Sequence, residues 1–185
     1  MSNVISLTAG ANTSLTSVNP LIDELIVGFG WDIIRSNSPM VELVPSAILC
    51  DANDMAISDE HMVFFNQLSS PDGSTQYVTK GDVEQLEVTL SLVPANVEKI
   101  VFIVYANPDL RQSGNFSSVK NAYIRVADRT DNDIVRFDIP QAEYDVTAMV
   151  FGELYRYKGQ WKFRAVGQGY KDGLVGIAKN YRVNI

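Results

Sequence analysis

The chain of 185 residues has one cysteine, one histidine and no long apolar run. Cys50 alone cannot form an internal disulfide, which agrees with a reducing compartment. One cysteine and one histidine also cannot supply the four ligands of a soft-metal site within a single chain. The longest apolar run, Ile100 to Ala106, has seven residues, where spanning a bilayer takes roughly 20. Met1-Ser2-Asn3-Val4-Ile5-Ser6 carries neither a basic leader nor an apolar segment, so a cytoplasmic protein without a signal peptide or integral membrane segment is expected. Basic residues are outnumbered, 15 to 22, for a formal net charge of −7. That sign repels phosphate backbones, and Lys158, Lys162 and Arg164 are spread through one hydrophobic hairpin rather than gathered into a patch, so nucleic-acid binding is excluded as an expectation.

Catalytic constellations are also missing. His61 opens a strand-like stretch, and no glycine-rich nucleophile turn precedes Cys50, which ends the apolar run Ala47-Ile48-Leu49-Cys50. Cys50 therefore reads as a small buried hydrophobe on an inner sheet face. The glycines between Gly167 and Gly176 lack the βαβ context of a dinucleotide fingerprint, because the sequence runs only nine residues further, to Ile185. No Gly-Lys-Ser/Thr phosphate loop occurs. A calcium loop of EF-hand type starting at Asp51 would need glycine at Ala56 and glutamate at Met62, and has neither.

What is present is a period of two. In Gln85 to Val93, Leu86, Val88, Leu90 and Leu92 alternate with polar residues, the mark of a strand with one buried face. Ile22–Trp31, Ser46–Cys50, His61–Asn66, Lys99–Tyr105, Ala122–Val126 and Asp133–Ile139 read as further strands, separated by turn residues such as Pro71-Asp72-Gly73 and Asp131-Asn132. Two aromatic-rich strands, Met149–Tyr157 and Gln160–Val166, flank a Lys158-Gly159 turn and predict a hairpin. Helix is predicted only over Asp172–Asn180, with Asp172 as its cap, and as one turn within Ser113–Asn121. The predicted fold is all-β, a two-sheet antiparallel sandwich with one or two short helices, in a single domain over residues 1–185. Trp31 and Trp161 are expected in its core. Loop carboxylates at Asp32, Glu42, Asp72, Asp82 and Glu84 are the available hard-metal ligands, with solvated turn residues as the alternative reading.

Several motifs together resemble one family. They are Ile5-Ser6-Leu7-Thr8-Ala9-Gly10, Gly28-Phe29-Gly30-Trp31-Asp32, Ser58-Asp59-Glu60-His61-Met62-Val63-Phe64-Phe65-Asn66, Ser70-Pro71-Asp72-Gly73-Ser74, and the tail from Ala148 through Trp161 to Tyr170. They are similar, nearly end to end, to the TerD family of tellurium-resistance and stress-response proteins. The resemblance implies a β-sandwich, no enzymatic activity, and calcium binding through an Asp-x-Asp-Leu-Asp-Ala segment and an acidic loop ending in Gly-Asp-Asp-Glu. The first segment here reads Met40-Val41-Glu42-Leu43-Val44-Pro45, with one acid of three, and the second is shortened to Gly81-Asp82-Val83-Glu84. Losing carboxylates lowers ligand charge, and with it calcium affinity. What the resemblance leaves is one weaker calcium site of Glu42, Asp82 and Glu84, completed by Asp32, carbonyls and water. That site requires Glu42 to meet residues about 40 positions away. The alternative is a metal-independent structural or interaction subunit that docks to calcium-binding paralogues of the same TerD-like family. A redox enzyme using Cys50 is a third reading. Neither the partner nor the oligomeric state follows from these motifs.

Overall fold

The computed structural model describes residues 3–34, 41–80, 83–107, 115–140 and 145–185. Two six-stranded sheets face each other, as the alternating pattern predicts. The first has the order β1 (Ile5–Leu7), β10 (Asp133–Asp138), β9 (Val119–Asp128), β3 (Glu24–Ile33), β7 (Val83–Thr89), β6 (Thr75–Lys80). The second has the order β2 (Asn12–Ser14), β12 (Gln160–Tyr170), β11 (Ala148–Tyr157), β8 (Lys99–Ala106), β4 (Leu43–Cys50), β5 (Met62–Val63). Pairing is antiparallel except between β1 and β10. The inner faces close on Val27, Leu49, Phe102, Ile124, Phe151 and Phe163, all without solvent exposure. Phe29 joins them from β3, meeting the rings of Phe102 and Phe151 at centroid distances of 6.4 and 6.1 Å.

Helix α1 (Leu15–Val18) is a single turn whose Ser14 hydroxyl accepts from the Ser17 N–H. Helix α2 (Gly173–Tyr181) lies across the outer face of the second sheet and covers a second apolar layer. This cover explains why every residue of β4 is buried: alternate side chains enter the sandwich or the α2 layer. Cys50 belongs to the α2 layer, so it is fully buried, but on the outer sheet face rather than the inner one expected. Asp172 stands at the cap position of α2 without a side-chain capping bond, and Gly173 begins the helix at φ +65°.

The tail hairpin is as expected, closed by Lys158 (φ 49°) and Gly159 (φ 74°), the pair of positive φ values that a two-residue turn between twisted strands demands. Phe116–Ser118 forms one 3-10 turn inside the predicted helical stretch. Two expected strands are shorter. Gln85–Val93 ends as strand at Thr89, and Leu90–Leu92 turns, held where Asp23 accepts from the Ser91 N–H and hydroxyl at 2.7 and 3.0 Å. His61–Asn66 keeps only Met62–Val63 as strand, followed by a bridge from Phe64 to Gln67. Trp31 and Trp161 pack against the core as expected, but are only half-buried. Trp31 ends a core-facing row at an open cleft, and Trp161 lies near the hairpin tip beneath the Arg156 guanidinium, 4.5 Å from its ring.

Candidate functional site

Strand β3 sets up the site. Gly28 and Gly30 leave room for cross-strand side chains: a Cβ on Gly30 would lie 2.3 Å from the Tyr123 ring, and one on Gly28 would lie 2.7 Å from Arg125 Nε. With that face filled, alternation turns Phe29, Trp31 and Ile33 the other way. Trp31 and Ile33 then line an open cleft of about 790 Å³ at one end of the sandwich. Phe65 and Tyr77 complete its apolar wall, and Glu42 and Glu84 are its charged residues. The volume falls within the range of ordinary ligand pockets.

Glu42 is already engaged. Asn107 holds Glu42 twice: its Nδ2 donates to Glu42 Oε2 at 2.9 Å and its backbone N–H donates to the Glu42 carbonyl at 2.8 Å. Glu84 lies near the Tyr77 hydroxyl. Burial raises the Tyr77 hydroxyl well above its ordinary value, and the neighbouring Glu84, Tyr105 and Glu42 add to this. Tyr77 is thus kept neutral beside the acids.

Of the four expected metal ligands, the structure brings Glu42 and Glu84 to the same cleft. Asp82 lies outside the described residues. Asp32 is not among the cleft residues: its Oδ2 accepts from Asn121 Nδ2 at 2.8 Å, and its neighbours Trp31 and Ile33 take the cleft side. Among the described residues no three of His, Cys, Asp and Glu converge on a point that could hold a metal. Calcium takes six to eight oxygens, and the described residues bring two acidic side chains to this cleft, one of them already bound by a neutral donor. Val44 shows part of the reason, being a buried apolar side chain in the cleft wall where the resemblance implies a carboxylate.

The remaining acids mostly shape loops. Asp51 Oδ1 accepts from the N–H groups of Asn53 and Met55, and Asp128 from Thr130 and Asn132. Asp59 holds Asn184 near the C-terminus. Asp72 organises the Pro71-Asp72-Gly73 turn, accepting from Ser70 Oγ and Ser74 N at 2.8 Å each, while its Oδ2 faces His61 Nε2 at 3.9 Å. Ser58 Oγ lies 2.7 Å from His61 Nδ1, so the Ser58–Asn66 and Ser70–Ser74 motifs are tied to each other. Sequence reasoning missed Asn107, which holds Glu42, and Tyr77, which lines the cleft with Glu84. The signal for Tyr77 was slight: an aromatic within Thr75–Lys80, a stretch too polar to read as a strand.

The TerD domain matches residues 3–181. The chain belongs to the TerD family. It is 37% identical over 188 aligned positions to the tellurium resistance protein TerD of Serratia marcescens, covering 97% of this chain and 98% of that protein. It is 36% identical to general stress protein 16U of Bacillus subtilis (strain 168), with 98% of each chain covered. Its fold matches the crystal structure of a TerD homologue from Streptomyces coelicolor A3(2) with a TM-score of 0.65 at 20% identity, covering 85% of this chain and 95% of that one. Within this TerD-family chain, the Gly-Phe-Gly-Trp-Asp motif has a physical reading: its glycines admit Arg125 and Tyr123 so that Trp31 can wall the cleft.

Proposed function

We propose that this chain is a non-enzymatic, cytoplasmic interaction subunit of a TerD-type stress or tellurite response, and that it works without a calcium ion in its cleft. The observation that carries this reading is the engagement of Glu42 by Asn107 in a cleft where, among the described residues, no three metal-ligating side chains converge. Glu42 and Glu84 are exposed and need no cation to offset burial, and the cleft's walls are largely apolar, as docking surfaces are. Relatives named for tellurium resistance and general stress support the biological setting. Isothermal titration of chelator-stripped protein with calcium tests the reading: no saturable heat is expected, and stoichiometric binding would overturn it.

A second reading keeps one weak calcium site, favoured by the presence of Glu42 and Glu84 in one cleft. The same titration decides between them, with Glu42→Gln and Glu84→Gln as controls. Deleting the gene and scoring tellurite survival tests the setting independently of metal.

A further inference from the structure

The cleft sits at one end of the second sheet, where Leu43 pairs with Ala106. The opposite end is where Lys99 pairs with Cys50 on one side and Tyr155 on the other. Seven residue steps of β8 separate the two ends, about 23 Å of strand. At that far end the tail hairpin runs past its neighbours. Strand β2 stops pairing at Lys162 and β8 at Tyr155, while β11 and β12 continue to the rung Tyr157–Gln160.

The hairpin tip has its own chemistry. Tyr157 is half exposed, and the ammonium groups of Lys158 and Lys162 each lie 5.2 Å from its ring centre. Among the described residues neither lysine is paired with a carboxylate. The tip is therefore a narrow two-stranded ribbon, fixed by its tight turn, that presents an aromatic ring flanked by two cations. The cleft presents the complement: aromatic and aliphatic walls, with Glu42 and Glu84 as the only charges among its described lining residues. Strands in a ribbon are about 4.8 Å apart, so its end can enter an open cleft of this size.

We propose that the Tyr157–Gln160 hairpin tip of one copy of this chain docks into the Glu42/Glu84 cleft of the next. Tyr157 enters the apolar walls near Trp31 and Phe65, and Lys158 and Lys162 meet the two glutamates. Because plug and socket lie at opposite ends, the contact is head-to-tail, and each added molecule offers a fresh plug and socket to the next. The proposal rests on reading the cleft as a protein-docking surface. The net charge of −7 opposes assembly at long range; about 0.1 M salt screens that repulsion beyond roughly 10 Å and leaves the contact charges less affected.

The test uses the whole chain in chelator, so that its outcome is separate from the calcium titration. Sedimentation across a concentration series at about 0.1 M salt is expected to show a mass rising above the 20.5 kDa of one chain, and falling back at about 1 M salt. Lys158→Glu with Lys162→Glu, and separately Glu42→Lys with Glu84→Lys, are each expected to weaken association about tenfold or more, because like charges then meet at the interface. Mixing the two variants is expected to restore it, since each then offers the charge the other's altered surface needs. The rescue also controls for folding, because a variant that failed to fold could not be rescued. A wild-type chain that stays monomeric overturns the proposal. So does association that the tip reversal leaves unchanged, which would mean that the cleft takes some other cationic segment or an unrelated surface is in contact. Failure of this test with no calcium bound leaves the interaction reading standing; calcium binding in the titration removes that reading first.

Discussion

Cys50 has no exposed surface, and burial beneath α2 pushes its thiol up to about 12, with Asp54 adding a smaller push. A neutral, inaccessible thiol is a poor nucleophile. A thiol-reactive dye is expected to label it only on unfolding, and Cys50→Ser is expected to match wild type in tellurite survival; loss of survival with intact folding would revive a redox role. Asp72 behaves in the opposite sense. Burial would raise its carboxyl, but hydrogen bonds from Ser74 and Ser70, together with the nearby His61, outweigh this and hold it below the ordinary 3.8. Its folded value is depressed, so its contribution to stability is full above the unfolded value and is lost as pH falls through the folded one. Denaturant melts from pH 6 down to about 2 are expected to show a shallower acid loss for Asp72→Asn than for wild type. An unchanged acid limb would mean that the turn does not depend on this charge.

Among the elements, β11 has the least room to vary. Gly152 sits where the register slips against both neighbouring strands, and a Cβ there would lie 2.5 Å from the Phe163 ring and 3.0 Å from the Arg164 carbonyl. Phe163 is fully buried and has little space to yield. Gly152→Ala is therefore expected to cost about 1–3 kcal/mol in a denaturant melt, the scale of overpacking. On α2, Ile177→Ala removes a fully buried side chain from the layer over β4 and is expected to cost about 2–5 kcal/mol. Long alternating strands such as β3, β8 and β9 were legible because one-sided burial writes itself into the sequence at period two. The strands β1 and β2, three residues each, and the polar β6 were not, because they take their conformation from the edges they complete. The buried side of Cys50 was misread for a related reason: β4 is apolar throughout, and a continuous apolar run does not say which face meets the sandwich and which meets a helix.

For the molecule as a whole, ligand linkage offers a check that needs no labelled site. A calcium site filled at 100 times its Kd would stabilise the fold by about 2.7 kcal/mol. Calcium is expected to leave the melting temperature of chelator-stripped protein unchanged, and a rise would return the cleft acids to the role of metal ligands. The cleft itself was only half legible. Glu42 and Glu84 could be singled out by their place in degraded motifs, but Asn107, which engages Glu42, and Tyr77, which lines the cleft with Glu84, come from parts of the chain that only the folded topology brings near. The placement of β1 and β2 has a consequence for how the protein is made. Ile5–Leu7 completes the first sheet against Val135–Phe137, and Asn12–Ser14 completes the second against Lys162–Arg164. A ribosome adding about 5–20 residues per second therefore makes these two segments before their partners and leaves them unpaired for roughly 6–30 seconds. Until then, the growing chain exposes two unpaired strand segments and the open sheet edges they will later cover. These two segments are thus among the last elements that can be placed, and the nascent protein stays open to aggregation or chaperone capture until the strand bearing Lys162–Arg164 emerges.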